Sequence, residues 1–282
     1  MAEIQMKIAR TLAEIESAAR VLRAERGRLA LVPTMGALHD GHLALIADAR
    51  ARGGAVAASI FVNPLQFGPN EDLARYPRDE AGDLAKLAAA GCDLVWLPSV
   101  EAMYPAGDAT LITVGGPSQG FEGAARPGHF TGVATVVAKL FGQTRADSAW
   151  FGAKDWQQAQ VIKRMVADLC LPIAIEVVPT LRAPDGLALS SRNRFLTVEE
   201  RAVAPKFYAT LTELANELRT GADVVAACRA AEERLRSLKF APDYLTLVDA
   251  ATLAPITSLG AENRLLAAAK LGSVRLLDNV PV

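Results

Sequence analysis

Apolar positions in the first two-thirds of the chain fall in short runs separated by stretches of helical period. Residues 29–33 read as a strand and 43–52 as the helix after it, and 55–62 and 79–90 repeat the pair. Residues 93–97 form a third strand run, 132–141 has helical spacing, and 148–151 is a short strand. A helix over 156–169 and an apolar strand over 173–179 close the series. The strand runs are apolar at successive positions, as parallel strands covered by helices on both faces must be. Alternating β and α of this kind predicts an α/β fold, a Rossmann-like doubly wound parallel sheet with ligands at the carboxyl ends of its strands.

The pattern changes at the turn Ala183-Pro184-Asp185-Gly186. Thr197-Val198-Glu199-Glu200 is a capping box that predicts one long helix reaching Leu218, and a second helix covers roughly 222–238. Residues 244–248, 263–269 and 273–277 then read as three strands. The expectation is a Rossmann-like nucleotide-binding domain over 1–184 and a smaller C-terminal α+β domain over 185–282, acting as a lid.

Composition narrows the function. The 282 residues are 51% apolar with a net charge of −1, a globular balance without the basic surface that nucleic acid or anionic membrane demands. Charged side chains from Lys7 to Arg28 interrupt the region where a signal peptide would need an apolar core, and no apolar run is long enough to span a bilayer. Cys92, Cys170 and Cys228 are widely spaced and odd in number, which argues against a disulfide framework and for buried thiols in the cytoplasm.

Two of the three histidines lie in Met35-Gly36-Ala37-Leu38-His39-Asp40-Gly41-His42, between the first predicted strand and its helix. A turn with two glycines brings backbone N–H groups close to a phosphate, and a helix N-terminus adds a favourable dipole. The spacing from Gly36 to Gly41 is that of a P-loop, but His42-Leu43 replaces the Lys and Ser/Thr that such a loop requires. Two imidazoles three residues apart instead suit hydrogen bonding to phosphate oxygens. Gly152-Ala153-Lys154-Asp155 also follows a strand, and a lysine there is placed to neutralise a phosphate. Leu189-Ser190-Ser191-Arg192-Asn193 can make a compact anion clamp of hydroxyls and guanidinium, although Ser-Ser-Arg in a loop is more often simply solvated. Asn63 and Gln66, in Phe61-Val62-Asn63-Pro64-Leu65-Gln66-Phe67, are neutral polar groups suited to orienting a hydroxylated substrate, although Asn63-Pro64 equally makes a turn. Arg126-Pro127-Gly128-His129-Phe130 holds the third histidine and serves equally as a helix cap.

In this order, and with Leu276-Leu277-Asp278-Asn279 near the end, these segments resemble the pantothenate synthetase (pantoate–β-alanine ligase) family over nearly the whole chain. His39-Asp40-Gly41-His42 is the HxGH-type element of the wider nucleotidyltransferase superfamily, and Ser190-Ser191-Arg192 looks like the counterpart of the synthetases' lysine–serine motif. The resemblance implies condensation of pantoate with β-alanine through a pantoyl-adenylate, with ATP as substrate, Mg²⁺ as cofactor and a homodimer. It places Met35 through His42 on ATP, with His39 and His42 on the phosphates and His42 as proton donor. Gly152, Ala153 and Asp155 would hold the adenosine, Lys154 the α-phosphate, and Leu181 the adenine pocket. Leu189, Ser190, Ser191 and Arg192 would close over the β- and γ-phosphates, while Gln66 and Gln158 would grip pantoate and Gln66 also β-alanine. Ala153 departs from the glutamate common at that position, and the metal ligands are not implied. The stretch 115–123 reads as a lid or a flexible connection. A nucleotidyltransferase without the amide step, an aminoacyl-tRNA synthetase fragment and a nucleotide-binding regulatory module are the competing readings.

Overall fold

The computed structural model describes residues 6–69, 71 and 73–282. Packing divides the chain into two units, Met1–Gly152 with Val161–Val178, and Ala153–Gln160 with Pro179–Val282.

The first unit is built on a six-stranded parallel sheet of β1 (Lys7–Ala9), β2 (Leu29–Thr34), β3 (Ala55–Ile60), β4 (Leu94–Trp96), β5 (Ser148–Gly152) and β6 (Ala174–Val178). Their spatial order is β1-β4-β3-β2-β5-β6. Leu29 and Leu31 of β2 enter one apolar cluster with Ile15, Leu22 and Val133, from helices Leu12–Arg26 and His129–Thr144. Ala30 and Val32 enter another with Leu45, Ile46 and Leu87, from helices Asp40–Ala51 and Glu80–Ala89. Alternate side chains therefore serve opposite faces, and both faces are covered, so the strand had to be apolar throughout.

β2 pairs with β5 only at Ala30 and Leu31, but with β3 along its whole length to Thr34. The sheet thus opens between β2 and β5 at their carboxyl ends, where chain order reverses and an α/β sheet offers a crevice. Pro33 lies in the open part, where a strand can forgo an N–H toward that neighbour.

Two elements lacked a strong periodic signal. β1 is three residues at the sheet edge, too short for a pattern to register. Helix Leu12–Arg26 carries many charges, yet its ends were legible: Thr11 and Glu14 form a capping box, and Gly27 closes it at φ +77°.

The second unit contains an antiparallel sheet of β7 (Phe240–Asp249), β8 (Asn263–Leu271) and β9 (Val274–Pro281), in that order. Helices Pro205–Arg219 and Val224–Ser237 share its core, where Leu211, Leu214, Leu235 and Leu265 are fully buried. The single long helix expected from Thr197 is two. Val198–Val203 keeps the Thr197–Glu200 capping box, and Pro205 starts the next helix because its ring and missing N–H do not suit a helix interior. The cysteine expectation also needs correction. Cys92 is buried, but Cys170 is exposed just past a helix end at φ +50°, and Cys228 is intermediate; all three are free.

Candidate active site

The loop after β2 is shaped by its own side chains. Thr34 Oγ1 donates to Ser59 O (2.6 Å) and accepts the Gly36 N–H (3.2 Å). Gly36 has φ +80°, and a Cβ there would meet Asp83 Oδ2 at 3.0 Å and Ile60 Cγ2 at 3.1 Å, so glycine is required by conformation and by space. Ala37 follows at φ +51°, a left-handed conformation costing ~1–2 kcal/mol for an L-residue. Buried Asp83 sustains it, its carboxylate accepting the N–H groups of Ala37 (2.7 Å) and Leu38 (2.8 Å). Lys86 Nζ donates to Leu38 O at 2.8 Å.

The two histidines cap helix Asp40–Ala51. His39 Nδ1 accepts from Gly41 N–H (3.1 Å), His42 Nδ1 accepts from His39 N–H (3.3 Å), and the ring centroids lie 4.2 Å apart. A backbone N–H only donates, so each neutral ring carries its proton on Nε2. The N–H groups of Gly36, Ala37, Leu38, His39 and Gly41 are all engaged by side chains. The loop's N–H groups thus support the loop itself, and the two imidazoles stand at the helix N-terminus.

The turn after β3 holds Gln66. Asn63, 1% exposed, accepts from Leu65 N–H (3.2 Å) and Tyr104 Oη (2.8 Å) and donates to Gln66 Oε1 and Gly132 O, both at 3.1 Å. Every polar capacity of Asn63 is used internally, so it orients Gln66 and is not itself turned to a substrate. Gln66 is buried, with Nε2 2.9 Å from Met35 Sδ, which joins two of the expected site residues. His129 is buried as well, and its Nδ1–H donates to Gln66 O at 2.9 Å. Its Nε2 is therefore the acceptor for Arg126 Nη1 at 3.1 Å. Burial, reinforced by the Arg126 charge, lowers the His129 pKa to about 4, so the ring is neutral. Arg126 forks onto Glu71 at 2.8 and 2.6 Å. Burial pushes the Glu71 carboxyl up, but Arg126 outweighs it and holds the group below its ordinary range. Gly128 caps helix His129–Thr144 at φ +82°, so the segment serves as a cap and as a support for Gln66. The stretch 115–123 contains a 3₁₀ turn, Gly116–Ser118, and the start of the short helix Phe121–Ala125.

Ala153–Asp155, in the second unit, forms a 3₁₀ turn leading into helix Trp156–Asp168, on which Gln158 is half-buried. Lys154 Nζ lies 3.5 Å from Asp155 Oδ1. Leu181 and Leu189 are joined by a Leu189 N–H to Leu181 O bond of 3.0 Å, across the turn that contains Gly186 at φ +92°. Ser190 caps the 3₁₀ turn Ser191–Phe195 by accepting the Arg192 N–H at 3.3 Å. Gly152, the remaining predicted residue, ends β5 in the first unit.

A family model for pantoate-beta-alanine ligase matches residues 7–281. The chain belongs to the pantoate–β-alanine ligase family. The pantothenate synthetase of Granulibacter bethesdensis is 56% identical over 277 residues, covering 98% of this chain and 96% of that protein. That of Acidiphilium cryptum is 57% identical over 278 residues, covering 98% and 100%. The crystal structure of pantothenate synthetase from Thermus thermophilus matches with a TM-score of 0.92 at 48% identity, covering 98% of this chain and 99% of that one. The Francisella tularensis pantoate-beta-alanine ligase, crystallised with beta-gamma ATP and beta-alanine, matches with a TM-score of 0.82 at 34% identity, covering 98% of both chains. The Rossmann-like sheet with a small antiparallel C-terminal sheet is thus the fold of the family, and ligation of pantoate to β-alanine is its activity.

Sequence reasoning missed several residues on which this ligase depends for shape. Asp83 sits on an amphipathic helix whose other charges face solvent, and nothing local distinguishes it. Tyr104 gave no signal either, and Gly132 stood out only as the start of a predicted helix. Asp278 and Asn279 were visible only as part of the family pattern. Among the described residues, no helix is long and apolar enough to cross a membrane.

Proposed function

We propose that pantoate is activated by ATP as pantoyl-adenylate, with the His39–His42 pair, Lys154 and Arg192 meeting the phosphate charge. The carrying observation is the pair of imidazoles whose Nδ1 atoms are both occupied by backbone N–H groups, leaving Nε2 as the proton-bearing atom at a helix N-terminus. The ATP and β-alanine in the Francisella tularensis enzyme support the choice of ligands.

A carboxylate is a poor electrophile, so the pantoate carboxylate first attacks the α-phosphorus. The bond to the bridging oxygen breaks and pyrophosphate leaves. Charge growing on that oxygen is met by fixed donors, of which His42 Nε2–H is the proton donor. In this reading Met35, Gly36, Ala37, Leu38, His39, Asp40, Gly41 and His42 hold ATP together with Gly152, Ala153, Lys154 and Asp155. Leu181 lines the adenine pocket, and Leu189, Ser190, Ser191 and Arg192 cover the terminal phosphates. Gln66 and Gln158 bind pantoate. The neutral amine of β-alanine, placed by Gln66, then attacks the acyl carbon; AMP leaves, and the amine loses a proton as the amide forms. Among the described residues no group of three or more His, Cys, Asp or Glu comes together as metal ligands. Mg²⁺ would be held chiefly by the phosphates of ATP, where it offsets their charge, and no step is routed through it. A cytoplasmic homodimer completes the proposal, resting on three free thiols for the first term and on family resemblance for the second.

The test is pantoate-dependent exchange of labelled pyrophosphate into ATP by Lys154→Ala. Loss of one charge contact in the transition state costs ~10²–10³-fold in rate. Exchange within tenfold of the parent, from a variant with unchanged circular dichroism, overturns the role of Lys154.

A further inference from the structure

We infer that Asn279 is a positioning residue for Lys154, fixing the backbone from which that side chain departs. The inference rests on Lys154 acting on phosphate. Asn279 lies near the end of β9, opposite Leu266 of β8, and is 4% exposed. Its Nδ2 donates to Ala153 O and to Lys154 O, both at 2.8 Å. Those two carbonyls belong to the peptide groups on either side of the Lys154 Cα. Peptide groups are planar, so holding both of them sets φ and ψ of Lys154, and with them the direction of its Cα–Cβ bond. A single side-chain amide thereby aims a long, flexible lysine whose ammonium also lies 3.5 Å from partly exposed Asp155.

The amide is itself held in one orientation. Its Oδ1 accepts from Arg264 Nη1, and because a guanidinium has no acceptor, the nitrogen must face the two carbonyls. Arg264 lies over the Trp156 ring at 3.7 Å, and Trp156 Nε1 donates to Ala250 O at 2.8 Å. On the other side, the Asn279 N–H donates to Asp278 Oδ1 at 2.8 Å, and buried Asp278 is clamped by Arg182 at 2.6 and 2.8 Å. A buried amide is costly unless its hydrogen bonds are made, and here both donors are spent on one turn and the acceptor on Arg264. Asparagine at this place does what no apolar residue of β9 could do.

Asn279→Asp keeps the shape and the Arg264 contact but removes both donors and sets an oxygen against two carbonyls. It is to be measured alone and combined with Lys154→Ala, by pyrophosphate exchange, steady-state kinetics and melting temperature. Misplacement of a reacting group by ~1 Å costs up to ~100-fold, so kcat for exchange should fall about 10–100-fold, with KM for ATP and pantoate within about threefold. On the Lys154→Ala background the same substitution should cost no more than about twofold, because the group it aims is absent. A parent-like kcat for Asn279→Asp overturns the inference, as does an equal loss on both backgrounds, which general destabilisation would produce. An active Lys154→Ala single variant overturns the reading of Lys154 and this inference with it. An inactive Lys154→Ala beside an unaffected Asn279→Asp overturns this inference alone. Should Asn279→Asp fail to fold, Asn279→Ser removes the amide without adding charge and carries the same cycle.

Discussion

Gly132→Ala adds one methyl group and should impair both the fold and the handling of pantoate. Gly132 lies in helix His129–Thr144, where a Cβ would sit 2.3 Å from Leu65 O, 2.5 Å from Leu65 C and 2.6 Å from Gln66 N. All three are backbone atoms, so no side chain can rotate away. Reaching even the 3.0 Å below which real Cβ contacts essentially never fall requires the helix and the turn to part by roughly 0.7 Å. The same turn carries Gln66, whose carbonyl is held by His129, and the Gly132 carbonyl itself accepts from Asn63. The added methyl therefore strains both contacts, and with them Asn63, which holds the Gln66 amide oxygen. Overpacking of this kind costs ~1–3 kcal/mol, and each kcal/mol lowers melting of a unit this size by about 2–4 °C. A near-1 Å displacement of a substrate-holding group costs up to ~100-fold in rate. The assays are differential scanning calorimetry and pantoate-dependent pyrophosphate exchange, with ATP affinity measured separately. Melting within about 1 °C and exchange within about twofold of the parent would refute the idea that backbone proximity at Gly132 positions Gln66.

Three further outcomes follow from the same geometry. Gln66→Ala leaves Asn63 short of an acceptor at a buried site, a cost of ~1–3 kcal/mol, and should weaken pantoate about 5–100-fold while the ATP dissociation constant hardly moves; separate titrations check this, and equal weakening of both sinks it. Asp83→Asn presents an NH₂ group to one of two backbone donors, so the left-handed step at Ala37 loses support and ATP should bind at least about tenfold more weakly; an unchanged ATP affinity would show that the carboxylate is dispensable. His129 has a folded pKa of about 4 against 6.5 for the free side chain, so below pH 6.5 the unfolded chain takes up a proton that the native ring refuses. Its contribution is full above pH 6.5 and is lost as pH falls toward 4, by ~3 kcal/mol at most. Urea unfolding of the parent and His129→Gln at about pH 7.5 and about pH 5 should show a smaller acid-induced loss in the variant, and parallel losses count against a buried neutral ring.

What the sequence by itself determined is what adjacent residues encode. Runs such as 29–33 and 55–62 are short and almost wholly apolar, as a strand buried on both faces must be, and they alternate with helical stretches, so the parallel sheet and its helices were legible. The Thr197–Glu200 capping box likewise declared its own helix start. His39, His42 and Lys154 read as phosphate contacts because each lies beside a predicted strand end, whereas Arg192 drew its reading mainly from the family resemblance. Tertiary structure decided how those groups are held. Asp83 reaches back 46 residues to Ala37, and Asn279 reaches back 125 to Lys154. Asn63 reads equally as a substrate contact or a turn in the sequence and is a strut in the fold, because Leu65, Gln66, Tyr104 and Gly132 exhaust its amide. Periodicity reports which face of an element is buried. A buried polar group takes its meaning from its partners, and those are chosen by packing between segments far apart in the chain.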